Sequence, residues 1–487
     1  MSCGKPKPLD LGLVYRDFSD GAPSAAPFRE AELQAASSFV RGLLEDGGRL
    51  SSLGMRLAPP DTAAPDLILE LYSLWSFEAE ASGGEALTVA RTYLVPWAEA
   101  MRDTSLAACL AGEETLIPLR ELAAPGIALR VDGLSAGDAG YPLVWETRAR
   151  LSTQTGAPAA SLEGLLRERL SAAPNPLLET MPQVLWLAAA GDLMLGRGAG
   201  DILLREGPGG VFGEKAAAML IEADLAIVNL EGALSDRGSR VEKTYNFRFP
   251  PVMAGALKDA GIDAVLLANN HIYDFGPDAF MDTLSHLEGA GIGILGAGRD
   301  LIAAAAPFAL TRVPPVHVFG IASFPREASG WDGLGIAAGE NKPGILHAGR
   351  GGADTLKEGF SAEALDMVFF HGGNEWTAAP DARTRTLYTD LLRAGADIII
   401  GSHPHIVQGF EWIEGKPVFW SLGNFVFAGM ENTGGGDEGL FVRLGFLGTK
   451  LIYIEPYPLA LSGPRTKIVP VPAEGLSAFQ TAPSPAP

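Results

Sequence analysis

Five strand-length apolar runs in the second half of the chain each close on a residue able to bind a cation or move a proton. VLWLAAAGD, ADLAIVNLE, AVLLANNH, MVFFHGG and ADIIIGSHPH bring in Asp192, Glu231, Asn270 with His271, His371, and His403 with His405. Helical stretches lie between them: EKAAAMLIEA, PVMAGALKDAG, DAFMDTLSHLEGAG and ARTRTLYTDLLRAGA. Apolar runs buried on both faces and alternating with helices specify βαβ units. Ligand sites in such sheets collect beyond the carboxyl ends of the strands, which is where these residues fall. No histidine precedes His271, and four of the seven sit in these stretches. Carboxylate, amide and imidazole donors at one sheet edge make up a mixed oxygen/nitrogen metal site.

The chain has 487 residues, 47% hydrophobic and 20% charged, which is a globular composition with ample core. Its 58 acidic against 37 basic residues give a net charge of −21, a surface that repels nucleic acid and anionic membrane. Cys3 and Cys109 are the only cysteines, too few for a Cys-rich zinc site or a disulfide framework. No apolar run reaches the ~18 residues of a membrane span, and no signal peptide is visible. The opening Met-Ser-Cys-Gly-Lys-Pro-Lys-Pro resembles a mature bacterial lipoprotein, giving an expectation of membrane association through a lipidated Cys3. An ordinary cytosolic N-terminus is the alternative.

Pro, Asn and small residues in SAAPNPLLETMPQ divide the chain near 171–183. We therefore expect a smaller α/β domain at 1–180, a second domain at 184–472 and an Ala/Pro/Ser-rich disordered tail at 477–487. In the first domain DLILELYSLW, LTVARTYLVPWAEAM, IALRVDGL and YPLVWETRARL alternate with helical patterns such as FREAELQAASSFVRGLLEDG. Its stretches TYLVPWAEAM and LRVDGLSAGDAGYPLVWETRARL resemble a lobe of periplasmic solute-binding proteins. After residue 412, GKPVFWSLGNFVF, GLFVRLGF and TKLIYIEPYPLAL read as antiparallel strands.

The pieces of the site differ in weight. Gly-Asp at 191–192 after a strand suits a hard metal ligand, but it is also a common turn. Glu231 is no more specific, with nearby helix capping as its bland alternative. Asn270 and His271 put an amide oxygen beside an imidazole, and Asp274 is spaced to hydrogen-bond that ring. His403 and His405 carry the strongest signal, because i and i+2 side chains of an extended segment point the same way. His371 gains meaning from this company. His286, His317 and His347 read as structural, in a helix, a strand and a loop. Arg197, Lys243 and Arg248 could meet a substrate anion but read rather as solvated surface charge, and Asn424 as a turn-stabilising amide rather than a ligand.

In chain order, GDLMLGR, VNLEGALS, FRFPP, LANNHIYDFG, GIGILGAG, FFHGGNEW, GSHPHIVQG and SLGNFVF resemble the CapA family of capsule-synthesis (poly-γ-glutamate type) proteins, within the calcineurin-like metallophosphoesterase superfamily. They span roughly residues 185–430. The resemblance implies a four-layer α-β-β-α sandwich holding two divalent ions (Mn, Fe, Zn or Mg). Asp192 and His405 would hold the first ion, and Asn270, His371 and His403 the second, with Glu231 bridging. His271, partnered by Asp274, would protonate a leaving group. One departure stands out. The superfamily's first motif is Asp-x-His, and here Met194, a poor ligand for hard ions, takes the place of the histidine.

The expected function is a metal-dependent hydrolase of phosphoester type working on capsule, poly-γ-glutamate or another cell-envelope polymer. A non-catalytic, metal-bearing polymer-binding or export component is the alternative. An anionic polymer or phosphoester substrate, capsule-assembly partners and the extracytoplasmic face of the envelope are expected with it, a cytoplasmic location being the other option.

Overall fold

A computed structural model describes residues 9–17, 26–45, 55–57, 67–75, 86–98, 104–110, 113–123, 126–153, 159–172, 177, 179–327, 329–430 and 433–470. Cys3 and the tail at 477–487 lie outside the described residues. The chain splits into two compact units, Met1–Gln183 and Val184–Pro487.

In the N-terminal unit the strand Leu67–Trp75 pairs parallel with Leu9–Asp17 and antiparallel with Val144–Thr153, which pairs antiparallel with Leu87–Ala98. The sheet is therefore mixed. Helix Ala26–Glu45 buries Ala36, Val40 and Leu44, four residues apart and so on one stripe. Helix Ala159–Ala172 does the same with Leu162, Leu165 and Leu166. Both stripes join Leu11, Leu69, Leu71 and Val89 of the sheet in one core.

The C-terminal unit holds two larger sheets that pack on each other. The first runs Gly293–Leu295, Ala264–Leu266, Leu225–Leu230, Leu185–Leu193, Glu438–Leu447, Lys450–Ser462, Arg465–Ile468, with Asn424–Val426 beside Leu185–Leu193. Its first four strands are parallel and the last three antiparallel. The second sheet runs Phe308–Leu310, Val316–Ser323, Leu365–Gly372, Ile398–Ser402, Lys416–Leu422, Val407–Ile413, parallel except at its two edges.

Side-chain alternation decides what each strand of the second sheet faces. Phe319 and Ile321, Val368 and Phe370, and Val418 and Trp420 point to one side and pack with Tyr388, Leu391 and Leu392 of helix Ala382–Ala394. Met367, Phe369 and His371 share the opposite parity and are buried as well. Helix Glu214–Glu222 packs on the first sheet. Helices Met253–Asp259 and Gly276–Gly289 are followed by Gly261 and Gly291 at φ +85° and +68°, the left-handed stop that glycine takes without strain.

One expectation is corrected in part. Of the antiparallel strands expected after residue 412, Glu438–Leu447 and Lys450–Ser462 pair antiparallel; Lys416–Leu422 is antiparallel to Val407–Ile413 but parallel to Ile398–Ser402 in the second sheet, and Asn424–Val426 lies parallel to Leu185–Leu193 in the first. Gly423, at φ +65°, carries the chain from one sheet to the other. That crossing places the two sheets' strand ends side by side.

Candidate metal centre

The crossing at Gly423 also shapes the first site residue. Asp192 N donates to Gly423 O at 3.0 Å, and a Cβ on Gly191 would stand 1.9 Å from that oxygen. Only glycine at 191 lets the strand close there. Asp192, fully buried, then projects from the end of Leu185–Leu193 towards the ends of Leu225–Leu230, Leu365–Gly372 and Ile398–Ser402.

What gathers around it is a set of acceptors turned on one another. Asn424 spends its amide N–H on Gly436 O (2.7 Å), so its Oδ1 accepts from His405 Nδ1 at 2.9 Å. His405 Nδ1 also lies 3.2 Å from Asp192 Oδ2, and Nε2 lies 3.9 Å from Glu231 Oε1. Ser402 Oγ donates to Phe370 O (3.1 Å) and accepts from His371 Nδ1 (3.2 Å). His371 Nε2 is then bare, yet it stands 3.0 Å from Asn270 Oδ1. Rotating that amide gives no relief, because Asn270 Nδ2 faces Glu327 Oε1 at 3.4 Å. Glu231 Oε1 and His403 Nδ1 are buried with no hydrogen-bond partner. Buried carboxylate, amide and imidazole groups with unpartnered atoms could hold a divalent cation. One atom each of Asp192, Glu231 and His371 lies within 4.8 Å of the others. These residues fit a metal site.

The electrostatics carry the same message. Burial, reinforced by Asp192, pushes the Glu231 carboxyl well above its ordinary range. Burial pulls His405 down, but Glu231 and Asp192 overcome it and raise the ring to about 10. Burial, reinforced by neighbouring imidazoles, holds His371 and His403 well below the usual value. Two carboxylates in a closed space demand positive charge, supplied by a proton or by an ion.

Beside this set lies a satisfied group. His271 Nδ1 donates to Asp274 Oδ2 at 2.6 Å, leaving Nε2 3.7 Å from Glu231 Oε1. Phe247 N donates to the same Asp274 oxygen (2.7 Å). Lys243 Nζ donates to Asn270 O (2.7 Å) and Asp274 Oδ1 (2.9 Å), forms an ion pair with Glu327 Oε1 (3.0 Å), and lies over the Trp331 ring. Burial lowers the His271 pKa against the pull of Asp274. A cleft of about 280 Å³, lined by Tyr245, Asn270, His271, Phe324, Glu375 and His403 among others, opens onto the group.

The structure thus brings together all eight residues singled out in the sequence: Asp192, Glu231, Asn270, His271, Asp274, His371, His403 and His405. Three readings are corrected. His403 and His405 do not belong to an extended segment: their φ angles of +97° and +59° turn each ring inward separately, a strain of the kind that persists at functional sites. Lys243 is not solvated, because its side chain is fully buried between carboxylates. Arg197 is engaged too, donating to Ala428 O at 2.5 Å. Asn424 orients His405 rather than a turn. The sequence reading missed Asn229, whose Nδ2 donates to Asp192 Oδ1 (2.8 Å) and Glu231 Oε2 (3.3 Å). Its position two residues before Glu231 on the same strand face was the available signal. His347 is structural as expected, accepting from Gly349 N at 3.0 Å.

Residues 186–429, half of the chain, match the family model described as "Bacterial capsule synthesis protein PGA_cap". The PGA biosynthesis protein CapA of Bacillus subtilis (strain 168) is 29% identical over 259 residues, 52% of this chain and 67% of that protein. The capsule biosynthesis protein CapA of Bacillus anthracis is 29% identical over 264 residues, 52% of this chain and 62% of that protein. The chain thus spans about two thirds of the length of these relatives. A solved phosphatase structure from Mycoplasma pneumoniae, 13% identical, covers 57% of this chain and 95% of that one with a TM-score of 0.36, too low to support any inference.

Proposed function

This chain belongs to the bacterial capsule synthesis protein family PGA_cap, and from that premise we propose that it is a metal-dependent hydrolase of phosphoester type serving a cell-envelope polymer. The observation that carries the reading is the buried gathering of Asp192, Glu231, His371, His403 and His405, in which Glu231 Oε1 and His403 Nδ1 have no hydrogen-bond partner. We read the two packed sheets with their outer helices as the four-layer sandwich of metallophosphoesterases.

In this reading Asp192, Glu231 and His405 would hold one ion, and Asn270, His371 and His403 another, with Glu231 shared between them. Divalent ions here would supply Lewis acidity and offset the charge of a phosphoryl group. Asp274 would hold the His271 ring with Nε2 towards the cluster, where Nε2 would take a proton from the attacking water and, as imidazolium, pass it to the departing oxygen. Lys243 neutralises Asp274 and Glu327 and keeps that wall closed. Asn424 and Ser402 aim His405 and His371. The proposal includes the extracytoplasmic face of the envelope, an anchor through Cys3 and capsule-assembly partners. Among the described residues no helix is long and apolar enough to cross a membrane.

The test is metal analysis followed by hydrolysis of chromogenic phosphomonoesters and phosphodiesters with Mn²⁺ added. Turnover that His271→Ala abolishes while bound metal is kept supports the reading. Met194 favours a second one, a metal-bearing but non-catalytic polymer-binding component, because its thioether accepts from Gly196 N (3.1 Å) and offers an ion nothing. Full metal occupancy with no turnover on any ester would select it.

A further inference from the structure

We propose that Asn229 is a positioning residue that presents Asp192 and Glu231 to the ions as a pair, and that Asn269 locks it in that orientation. The inference rests on the metal-centre reading above and assigns a role to two amides outside the ligand set.

Strand register brings the first amide to the acids. Leu185–Leu193 and Leu225–Leu230 run in step from Leu187 opposite Leu225 to Ala190 opposite Val228; the register then shifts, so that Asp192 rather than Gly191 lies opposite Asn229. The extra residue is a bulge, which re-aims the side chain that follows it. Glu231 lies two residues beyond Asn229, on the same side of the extended chain. All three side chains are buried. Asn229 Nδ2 reaches both carboxylates, donating to Asp192 Oδ1 at 2.8 Å and to Glu231 Oε2 at 3.3 Å.

The amide fits only one way round. Asn229 Oδ1 accepts from Asn269 Nδ2 (3.1 Å), which also donates to Leu230 O (2.8 Å), and Asn269 Oδ1 accepts from His271 N (3.1 Å). Turning either amide over sets N–H against N–H and oxygen against oxygen. Two buried side chains thus form an unbroken run from the backbone next to Asn270 to the two acids. Each carboxylate gives this run one oxygen and keeps the other. Asp192 Oδ2 lies 3.3 Å from His403 N, and Glu231 Oε1, which has no hydrogen-bond partner, lies 3.7 Å from His271 Nε2 and 3.9 Å from His405 Nε2. A neutral double donor holds two like charges side by side in a dry site, where their repulsion is strong and drives them apart once the donor is gone.

The experiment measures Mn²⁺ affinity of the full chain, by titration followed with electron paramagnetic resonance, beside urea melts of the metal-free protein. Asn229→Leu, close to asparagine in volume but without a donor, loses roughly tenfold or more in affinity for both ions. Both suffer because the amide serves a ligand of the first ion and the carboxylate shared by the two. Asn229→Ser, whose hydroxyl offers one donor, loses less, and it carries the test if the leucine variant does not fold. Asn269→Leu weakens binding a few-fold, and adding it to Asn229→Leu costs nothing further, because its effect passes through Asn229. A purely structural role would lower the urea midpoint and leave the Mn²⁺ affinity of the folded protein unchanged. That result in the Asn229 variants would overturn the inference with the metal centre intact, and losses that add in the double variant would overturn the link through Asn269. A wild type that binds no Mn²⁺ would overturn both the inference and the metal-centre reading.

Discussion

Two buried glutamates, one in each unit, have opposite surroundings. In the N-terminal unit, Glu146 is clasped by Arg91 Nε (2.8 Å) on one oxygen and by Arg148 Nε (3.0 Å) and Nη2 (2.8 Å) on the other. In the C-terminal unit, Glu231 has one weak donor, Asn229, on Oε2 and none on Oε1. The first carboxylate is complete and holds a sheet together. The second has no partner from the chain on Oε1, and in the proposed reading a cation would complete it. The desolvation cost of a buried charge is real in both cases. What differs is whether the chain itself offsets it, and that distinguishes a structural ion pair from a binding site.

The largest effect should come from the cation itself. Mn²⁺ at a thousandfold its dissociation constant stabilises the C-terminal unit by about 4 kcal/mol. Hydrogen exchange should show protection rising in 185–193 and 225–231 and unchanged in 144–153; an equal rise in both would erase the contrast drawn here. Next comes a pair of variants. Lys243→Met leaves Asp274 and Glu327 uncompensated and should cost about 3 kcal/mol in denaturant melts, with weakened metal binding. Glu146→Gln keeps an acceptor between the two arginines, should cost about 1 kcal/mol, and should leave metal binding untouched. The smallest effect is a pH slope at His347. Burial lowers its pKa to about 4, below the ordinary 6.5 of the unfolded chain. Its contribution is therefore fully present above pH 6.5 and is lost as pH falls towards 4, about 2 kcal/mol being gone by pH 5. Melts from pH 8 to pH 5 should show a shallower slope in His347→Gln than in the wild type.

Much of the site was legible because its residues close apolar strands, and parallel βαβ units bring strand ends to one edge wherever they lie in the chain. Asp192, Glu231, His371 and the Ser402–His405 segment follow from that rule alone. Lys243 was not legible. It lies in a polar stretch, KTYNFRFPP, whose composition is that of a surface loop. Only packing against Asp274 and Glu327 removes it from water. Asn424 was misread for a similar reason: a Gly-Asn after a strand signals a turn, and nothing local reveals that the turn joins two sheets.

The amino-acid order alone determined which side chains stand at strand ends, and so the set of donors and the absence of a histidine at position 194. Periodicity and end position are local properties, and a single chain displays them. The tertiary structure decided which lone pairs face each other, which imidazole nitrogen is bare, and which charges are already matched. Those outcomes depend on hydrogen bonds between residues far apart in the chain, such as His403 N to Asp192 Oδ2, 211 positions apart. Tautomer and protonation follow from such long-range partners, which no local pattern encodes.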